Sequence, residues 1–374
     1  MQILADNNMS GLDQTFARQG NLTSFDGRTL TRDDLGEAEV LLVRSVTNVG
    51  ASLLQGSKVR FVGTATIGTD HLDTTWLDQA GIAWASAPGC NADAAAQYTL
   101  GMLLLAMQRL GKQAADQQVA IVGYGNVGSR LHKLLDTLGV AVVVCDPPLE
   151  ERGQLQSLTL ADALQADIIS LHVPLQRGGA HPTHHMLNRK TLAQMRTGAL
   201  LINASRGDVV QEGALVDELR VGRLYAALDV WPSEPCVNPS LLAATTVATP
   251  HVAGSSVEGK RRGTDMIFTA FMAWRGQSAG LECTGVADDK PAAIPRPANG
   301  NIPLGAALDD TIIHATHVAQ DDARMRAANF NDAASFDALR RAHAPRHEFN
   351  RLTLPSVDSQ TGVTLRSLGF LTTP

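Results

Sequence analysis

The sequence predicts an α/β protein of two doubly wound, mostly parallel sheets with a small α+β region at its C-terminal end. Apolar runs of strand length alternate with polar, helix-compatible segments, a rhythm that implies parallel strands joined by crossover helices. This alternation occurs twice, on either side of a long segment rich in alanine and leucine. Glycine is abundant, at 33 residues, and aromatics make up only 4%, a balance that suits many tight turns better than an aromatic-rich β-sandwich.

In the first series, Ile3-Leu4-Ala5, Val40 to Val43, Val59 to Val62 and Ile82-Ala83-Trp84 read as strands. A long helix follows over 92–109, with Asn91 as its N-cap and alanine, leucine and methionine in its interior. The second series predicts strands at Val119 to Val122, Ala141 to Cys145, Ile168 to Leu171, Ala199 to Ile202, Tyr225 to Leu228 and Thr246 to Ala248, with a helix over 126–138. Six strands separated by helices meet the needs of a doubly wound fold. Ser255-Ser256-Val257-Glu258 fits a capping box in which Glu258 reaches back to the Ser255 amide, opening a helix to about Trp274. Residues 279–304, rich in Pro, Ala, Gly and Asn, read as a linker, and the chain beyond as a small extra domain. The expected organisation is an outer domain of residues 1–92 and 255–280, an inserted domain of 93–254, and a C-terminal region of 281–374.

Composition narrows the class. A chain of 374 residues suggests two to three domains, and 44% hydrophobic against 18% charged residues supports a packed core. The net charge of −6, from 31 basic and 37 acidic residues, argues against a nucleic-acid partner. Cys90, Cys145, Cys236 and Cys283 form no C-x-x-C pair, so neither a metal site nor a disulfide framework is indicated, and reduced thiols fit a cytoplasmic protein. The opening MQILADNNMS lacks a basic segment followed by an apolar run. The uncharged stretch Ala94 to Met107 is too short to span a bilayer and carries Gln97 and Thr99, so no membrane partner is expected.

Val119 to Val122 runs directly into Gly123-Tyr124-Gly125-Asn126-Val127-Gly128, a strand–glycine-loop–helix transition. Gly123 permits the tight turn, Gly125 lets the backbone approach a pyrophosphate, and Gly128 allows close helix–strand packing. The amides at the helix start, Asn126 and Val127 included, face the phosphates. Asp146 ends the next strand, where it accepts hydrogen bonds from the adenosine ribose and repels a 2′-phosphate. The second domain is therefore Rossmann-like, with NAD rather than NADP as its cofactor.

Oxidation of a 2-hydroxy acid needs a cation for the carboxylate, a base for the hydroxyl proton and a group that orients the base. Arg206, Glu234 and His251 each follow a different predicted strand. In open α/β sheets ligands gather at those strand ends, so the three can converge. Taken singly, each has a plainer reading: Arg206 as a surface partner of Asp208, Glu234 as a turn residue beside two prolines, His251 as a structural loop histidine.

At this point the chain resembles the D-isomer-specific 2-hydroxyacid dehydrogenase family. The motif from Asn203 through Arg206, Gly207, Val209 and Val210 to Ala214 and Leu215 is similar to the family signature. Val43 to Thr47, Phe61 to Thr66, Gly68 to His71, Ala87 to Ala92, Cys145 to Pro148 and Glu258-Gly259-Lys260 resemble one subfamily, which oxidises a phosphorylated four-carbon hydroxy acid. The resemblance is strong over residues 1–276 and weaker beyond, where Ala344 to Phe349 is most suggestive. It implies that Arg206 binds the substrate carboxylate, that His251 is the general base and that Glu234 fixes its tautomer. It further implies Asp229 near the nicotinamide, Leu175 near the adenosine, and Ala204, Ser205 and Gly254 lining the cofactor. Ser45 and Thr66 match substrate contacts, and Arg44 adds charge for the phosphate. One departure is Ser255, where the subfamily often has a substrate-facing tyrosine. The order of the segments predicts a cleft between the two domains that closes around the cofactor. The resemblance implies a homodimer formed through the C-terminal region, and Arg346 is expected to reach a partner's active site in it. Two alternatives stay open: a 3-phosphoglycerate or glyoxylate/hydroxypyruvate type of dehydrogenase, and an NAD-sensing interaction module on the same fold.

Overall fold

Most strands form where the apolar runs lie, in a computed structural model that describes residues 1–278, 292–293, 308–328, 330, 333–354 and 359–372. The chain divides into two units, one made of residues 1–91 and the chain from Ser256, the other of residues 92–255 and the C-terminal region.

The first unit carries a five-stranded parallel sheet of β1 (Gln2–Asp6), β2 (Asn21–Phe25), β3 (Val40–Val43), β4 (Phe61–Thr64) and β5 (Ala83–Ser86), in the order β2-β1-β3-β4-β5. Val40 to Val43 are fully buried, as an unbroken apolar strand covered on both faces must be. The helix Val257–Trp274 packs on this sheet through Phe268 and Phe271, whose rings meet Phe16 at 5.1 and 5.3 Å. A Cβ at Gly63 would lie 2.3 Å from Ile267 Cγ2, so the approach of helix to strand requires glycine there. The helix cap differs from the expectation by one residue. Ser256, not Ser255, is the N-cap, and its hydroxyl accepts from the Gly259 amide at 2.9 Å. The Ser255 amide instead donates to the Val252 carbonyl at 2.8 Å.

The second unit carries six parallel strands, β6 (Gln118–Val122), β7 (Ala141–Cys145), β8 (Ile168–Leu171), β9 (Leu200–Asn203), β10 (Tyr225–Leu228) and β11 (Val247–Ala248), in the order β11-β10-β9-β8-β6-β7. The chain leaves β6 toward β7 and returns on the other side to β8, so the direction of winding reverses beside β6. Ligands of doubly wound sheets bind at that reversal, beyond the carboxyl ends of the strands. The helix Ala92–Leu110 is buried over nearly its whole length, which explains its largely apolar sequence.

The C-terminal region adds helices Leu308–Thr316, Val318–Ala327, Ala333–Arg341 and Ser359–Ser367 and a parallel sheet of β12 (Ala292–Ala293), β13 (Leu352–Leu354) and β14 (Leu371–Thr372). It joins the hydrophobic core of the helix Ala92–Leu110 and β6 through Ile312, Phe349 and Phe370. The two phenylalanine rings stack at 4.2 Å. A Cβ at Gly101 would meet Thr316 Oγ1 at 2.2 Å, so the two helices touch backbone to side chain. Nearly all of the expected linker, residues 279–304, and Cys283 with it, lies outside the described residues. Among the described residues no helix is long and apolar enough to cross a membrane, and no cluster of metal-ligating side chains occurs.

Candidate active site

Three loops at the carboxyl ends of β9, β10 and β11 build the site within the second unit. The first follows β9. Asn203, 1% exposed, folds the loop onto itself. Its Oδ1 accepts from the amide and hydroxyl of Ser205 at 3.0 and 2.8 Å, and its Nδ2 donates to the Arg206 carbonyl at 2.9 Å. Arg206 is half-buried, and its Nη1 donates to the Ser205 carbonyl at 2.8 Å. Asp208 accepts from Arg177 Nη2 at 3.1 Å.

Gly207 ties this loop to the second. A Cβ there would lie 2.1 Å from the carbonyl carbon and oxygen of Trp231, so only glycine lets the two backbones touch. In the second loop Glu234 Oε1 accepts from the Trp231 amide at 2.8 Å, and Trp231 Nε1 reaches across to the Thr249 carbonyl at 2.9 Å.

The third loop is folded around Asp229, the residue just past β10. Its carboxylate, 1% exposed, accepts from Thr249 Oγ1 at 2.7 Å, from the Val252 amide at 2.9 Å and from the Ala253 amide at 2.9 Å. Its carbonyl accepts the His251 amide at 2.7 Å. Asp229, expected beside the nicotinamide, thus holds the histidine loop in shape. His251 itself adopts the left-handed region, φ 56°. A non-glycine residue there is uncommon and needs such over-determination by its neighbours.

These constraints bring His251 and Glu234 together. His251 Nδ1 and Glu234 Oε2 are 2.7 Å apart. Burial pushes the Glu234 carboxyl up, but the charge and hydrogen bond of His251 and the Trp231 amide outweigh it and hold it below its ordinary value. An ionised Glu234 accepts at Nδ1, which leaves Nε2 of the imidazole for a proton of the substrate.

The glycine loop lies at the end of β6. Gly123 has φ 93°, and a Cβ on it would meet the His172 carbonyl group at 2.7 Å. A Cβ on Gly128 would lie 2.1 Å from the Gly123 carbonyl oxygen. Gly125 differs: nothing lies within 4 Å of its Cβ position, and as N-cap of the helix Asn126–Thr137 it offers no side chain to the amides of Val127 and Gly128. The loop is thus closed on its protein side and open at Gly125, which fits a dinucleotide pyrophosphate on the helix start. Asp146 accepts from the Tyr124 amide at 2.7 Å and, as a helix cap, from the Leu149 amide at 3.0 Å. It fixes the glycine loop as well as standing where the ribose is expected. Leu175 packs against the core beyond β6 and β8, and Ala204 against the other face. Gly254 is half-buried in the turn closed by Ser255. Desolvation lowers His172, beneath the loop, to about 4, so it is a neutral partner of Ser170 Oγ at 2.8 Å.

Arg44, Ser45 and Thr66 belong to the first unit. Arg44 and Ser45 directly follow β3, the serine exposed. Thr66 Oγ1 is 2.8 Å from Thr64 Oγ1, which in turn lies 2.8 Å from His71 Nε2. Arg346, expected to reach a partner subunit, is 2% exposed within its own chain. Its contacts with Val252 and Ala253 had no sequence signal, since they span 94 and 93 residues.

Comparison with known proteins identifies relatives of the chain. A family model described as D-isomer specific 2-hydroxyacid dehydrogenase, NAD binding domain, matches residues 94–253. A second, described as a domain of unknown function (DUF3410), matches residues 294–369. The chain is 46% identical over 361 residues to erythronate-4-phosphate dehydrogenase of Pseudomonas aeruginosa, covering 94% of both chains. It is 40% identical over 380 residues to the enzyme of the same name from Klebsiella pneumoniae, covering 99% of this chain and 98% of that one. Among solved structures, the TT0316 protein from Thermus thermophilus superposes with a TM-score of 0.66 at 25% identity, covering 75% of this chain and 99% of the other.

Proposed function

We propose, for a chain that belongs to the erythronate-4-phosphate dehydrogenase family, that it oxidises 4-phospho-D-erythronate to 2-oxo-3-hydroxy-4-phosphobutanoate with NAD, a step of pyridoxal 5′-phosphate (vitamin B6) synthesis. The observation that carries the reading is the 2.7 Å pair of His251 Nδ1 and Glu234 Oε2, on a loop adjoining that of Arg206 and in the same unit as the dinucleotide loop. The near full-length identity to two enzymes of one name favours this substrate over the 3-phosphoglycerate or glyoxylate alternatives.

The Arg206 guanidinium binds the C1 carboxylate and draws electron density from the C2 oxygen. His251 takes the C2 hydroxyl proton on Nε2, and Glu234 stabilises the imidazolium formed. Gly123 to Gly128 and Asp146 would hold NAD, which when bound would supply the acceptor for the hydride leaving C2. Leu175, Ala204, Ser205 and Gly254 border that cofactor, and Asp229 holds the loop that borders it. Asn126 and Val127 serve through the amides of the helix start. Arg44, Ser45 and Thr66 are the proposed phosphate donors, and the small Ser255 leaves room where a tyrosine would project. The active species is a cytoplasmic homodimer assembled through the C-terminal region, a reading that rests on the family resemblance and is checked by sedimentation.

The test is to mix the protein with NAD and 4-phospho-D-erythronate and follow reduced nicotinamide by absorbance, with 3-phosphoglycerate and D-glycerate as competitors. Turnover of the four-carbon acid in preference to both is expected. Faster turnover of either competitor overturns the substrate assignment, and no turnover of any acid in either direction overturns the enzyme reading in favour of a sensing module.

A further inference from the structure

Arg346 is a buried cation with an unusual set of partners. It projects from the C-terminal region, 2% exposed, with its guanidinium 4.6 Å from the centre of the Tyr98 ring. Its Nη1 donates to the Ala94 carbonyl at 3.1 Å, and its Nη2 to the carbonyls of Val252 and Ala253 at 3.3 and 2.5 Å. Those two residues directly follow His251, and their amides are the ones Asp229 accepts. The peptide unit joining Val252 to Ala253 is therefore held at both ends, its N–H on a carboxylate and its C=O on a guanidinium. The peptide dipole lies between an anion and a cation in a dry setting, where such interactions are strong. A buried guanidinium is costly to desolvate and does little for stability that apolar packing would not do. Here it fixes the backbone that sets the direction of His251.

We infer that Arg346 is a positioning residue for His251: by clamping the Val252–Ala253 backbone against Asp229 it holds the imidazole in its working orientation, so the C-terminal region serves the chemistry of its own chain. The inference rests on His251 as the base, and the experiment separates the two.

Three variants of the full-length protein are compared, Arg346→Met, Arg346→Lys and Phe370→Leu. Phe370→Leu weakens the C-terminal core at its stack on Phe349 and leaves the hydrogen bonds of Arg346 and Asp229 to the loop in place. Arg346→Met is expected to lower kcat by about 100-fold, the scale of a small misplacement of a reacting group, while the Kd for NADH, read by fluorescence, stays within about twofold. Arg346→Lys, which keeps the charge but not the fork, falls in between. Phe370→Leu lowers the melting temperature but leaves kcat within about twofold of the parent. Hydrogen exchange of the segment 250–256 accelerates in Arg346→Met and reads the clamp without reference to catalysis. In a His251→Asn background, Arg346→Met lowers turnover no further, because it acts through the imidazole.

The inference is overturned by an unchanged kcat in Arg346→Met, or by a loss in Phe370→Leu equal to that in the arginine variants. Unchanged exchange of the loop overturns it as well. Should Arg346→Met not fold, Arg346→Lys and its exchange pattern decide between the same outcomes. A His251→Asn enzyme with nearly full turnover removes the base assignment, while accelerated exchange in Arg346→Met would still establish the clamp.

Discussion

Glu234 bonds His251 with one carboxylate oxygen, at 2.7 Å, and with the other holds the Trp231 amide of its own loop at 2.8 Å. The carboxylate that holds the imidazole is thereby held itself. Glu234→Gln keeps the shape but puts an amide nitrogen against one of the two partners. Turnover should fall by about 100-fold, within the range of general acid–base catalysis, with NADH affinity unchanged. Steady-state kinetics beside a fluorescence titration check this, and kcat within a factor of three of the parent contradicts the role.

The same pair has a signature in acid. The folded state holds the Glu234 carboxyl below its ordinary value, so the stability it contributes is complete above the unfolded-state value and is lost as pH falls through the folded one. The stability difference between the parent and Glu234→Gln should therefore be full near neutrality and shrink as the solution is acidified through the carboxylate range. Urea unfolding at a series of pH values measures it, and a difference that grows on acidification has the wrong sign.

Asp229 predicts a large loss of stability. Asp229→Ala leaves two buried amides and the Thr249 hydroxyl without their acceptor, at about 3 kcal/mol or more in all. Denaturant unfolding gives the number, and a cost under about 0.5 kcal/mol would show that water fills the place of the carboxylate without penalty.

Two glycines of one motif should behave differently. Gly128→Ala forces a methyl group to 2.1 Å from the Gly123 carbonyl oxygen and destabilises the protein before any ligand is added. Gly125→Ala meets nothing within 4 Å, so the melting temperature should hold while NAD affinity drops by about tenfold or more as the methyl group takes the place of phosphate. Thermal melts with and without NADH distinguish the two. Equal affinities for the parent and Gly125→Ala would place the pyrophosphate elsewhere.

Much of this was readable in the residues because it is local. The run Val119 to Val122, the glycine loop and the helix behind it are adjacent in the chain, and the structure places them as expected. Arg206, Glu234 and His251 announce themselves by following strands. What the sequence hid is long-range or weakly patterned. The edge strand β2, Asn-Leu-Thr-Ser-Phe, is largely exposed and so carries no apolar alternation. The cap falls on Ser256 and not on the expected Ser255, whose amide is taken by a turn back to Val252 that the capping pattern does not record. The bonds from Asp229 to the histidine loop and from Arg346 to the same loop depend on distant segments meeting, which no local pattern records.

The contact between Gly207 and the Trp231–Pro232 backbone has a consequence for how such an enzyme can diversify. Because the arginine loop and the glutamate loop touch without an intervening side chain, neither can be lengthened or re-aimed without moving the other. The loops that carry Arg206 and Glu234 can therefore vary only as one block, each change in one answered by a change in the other.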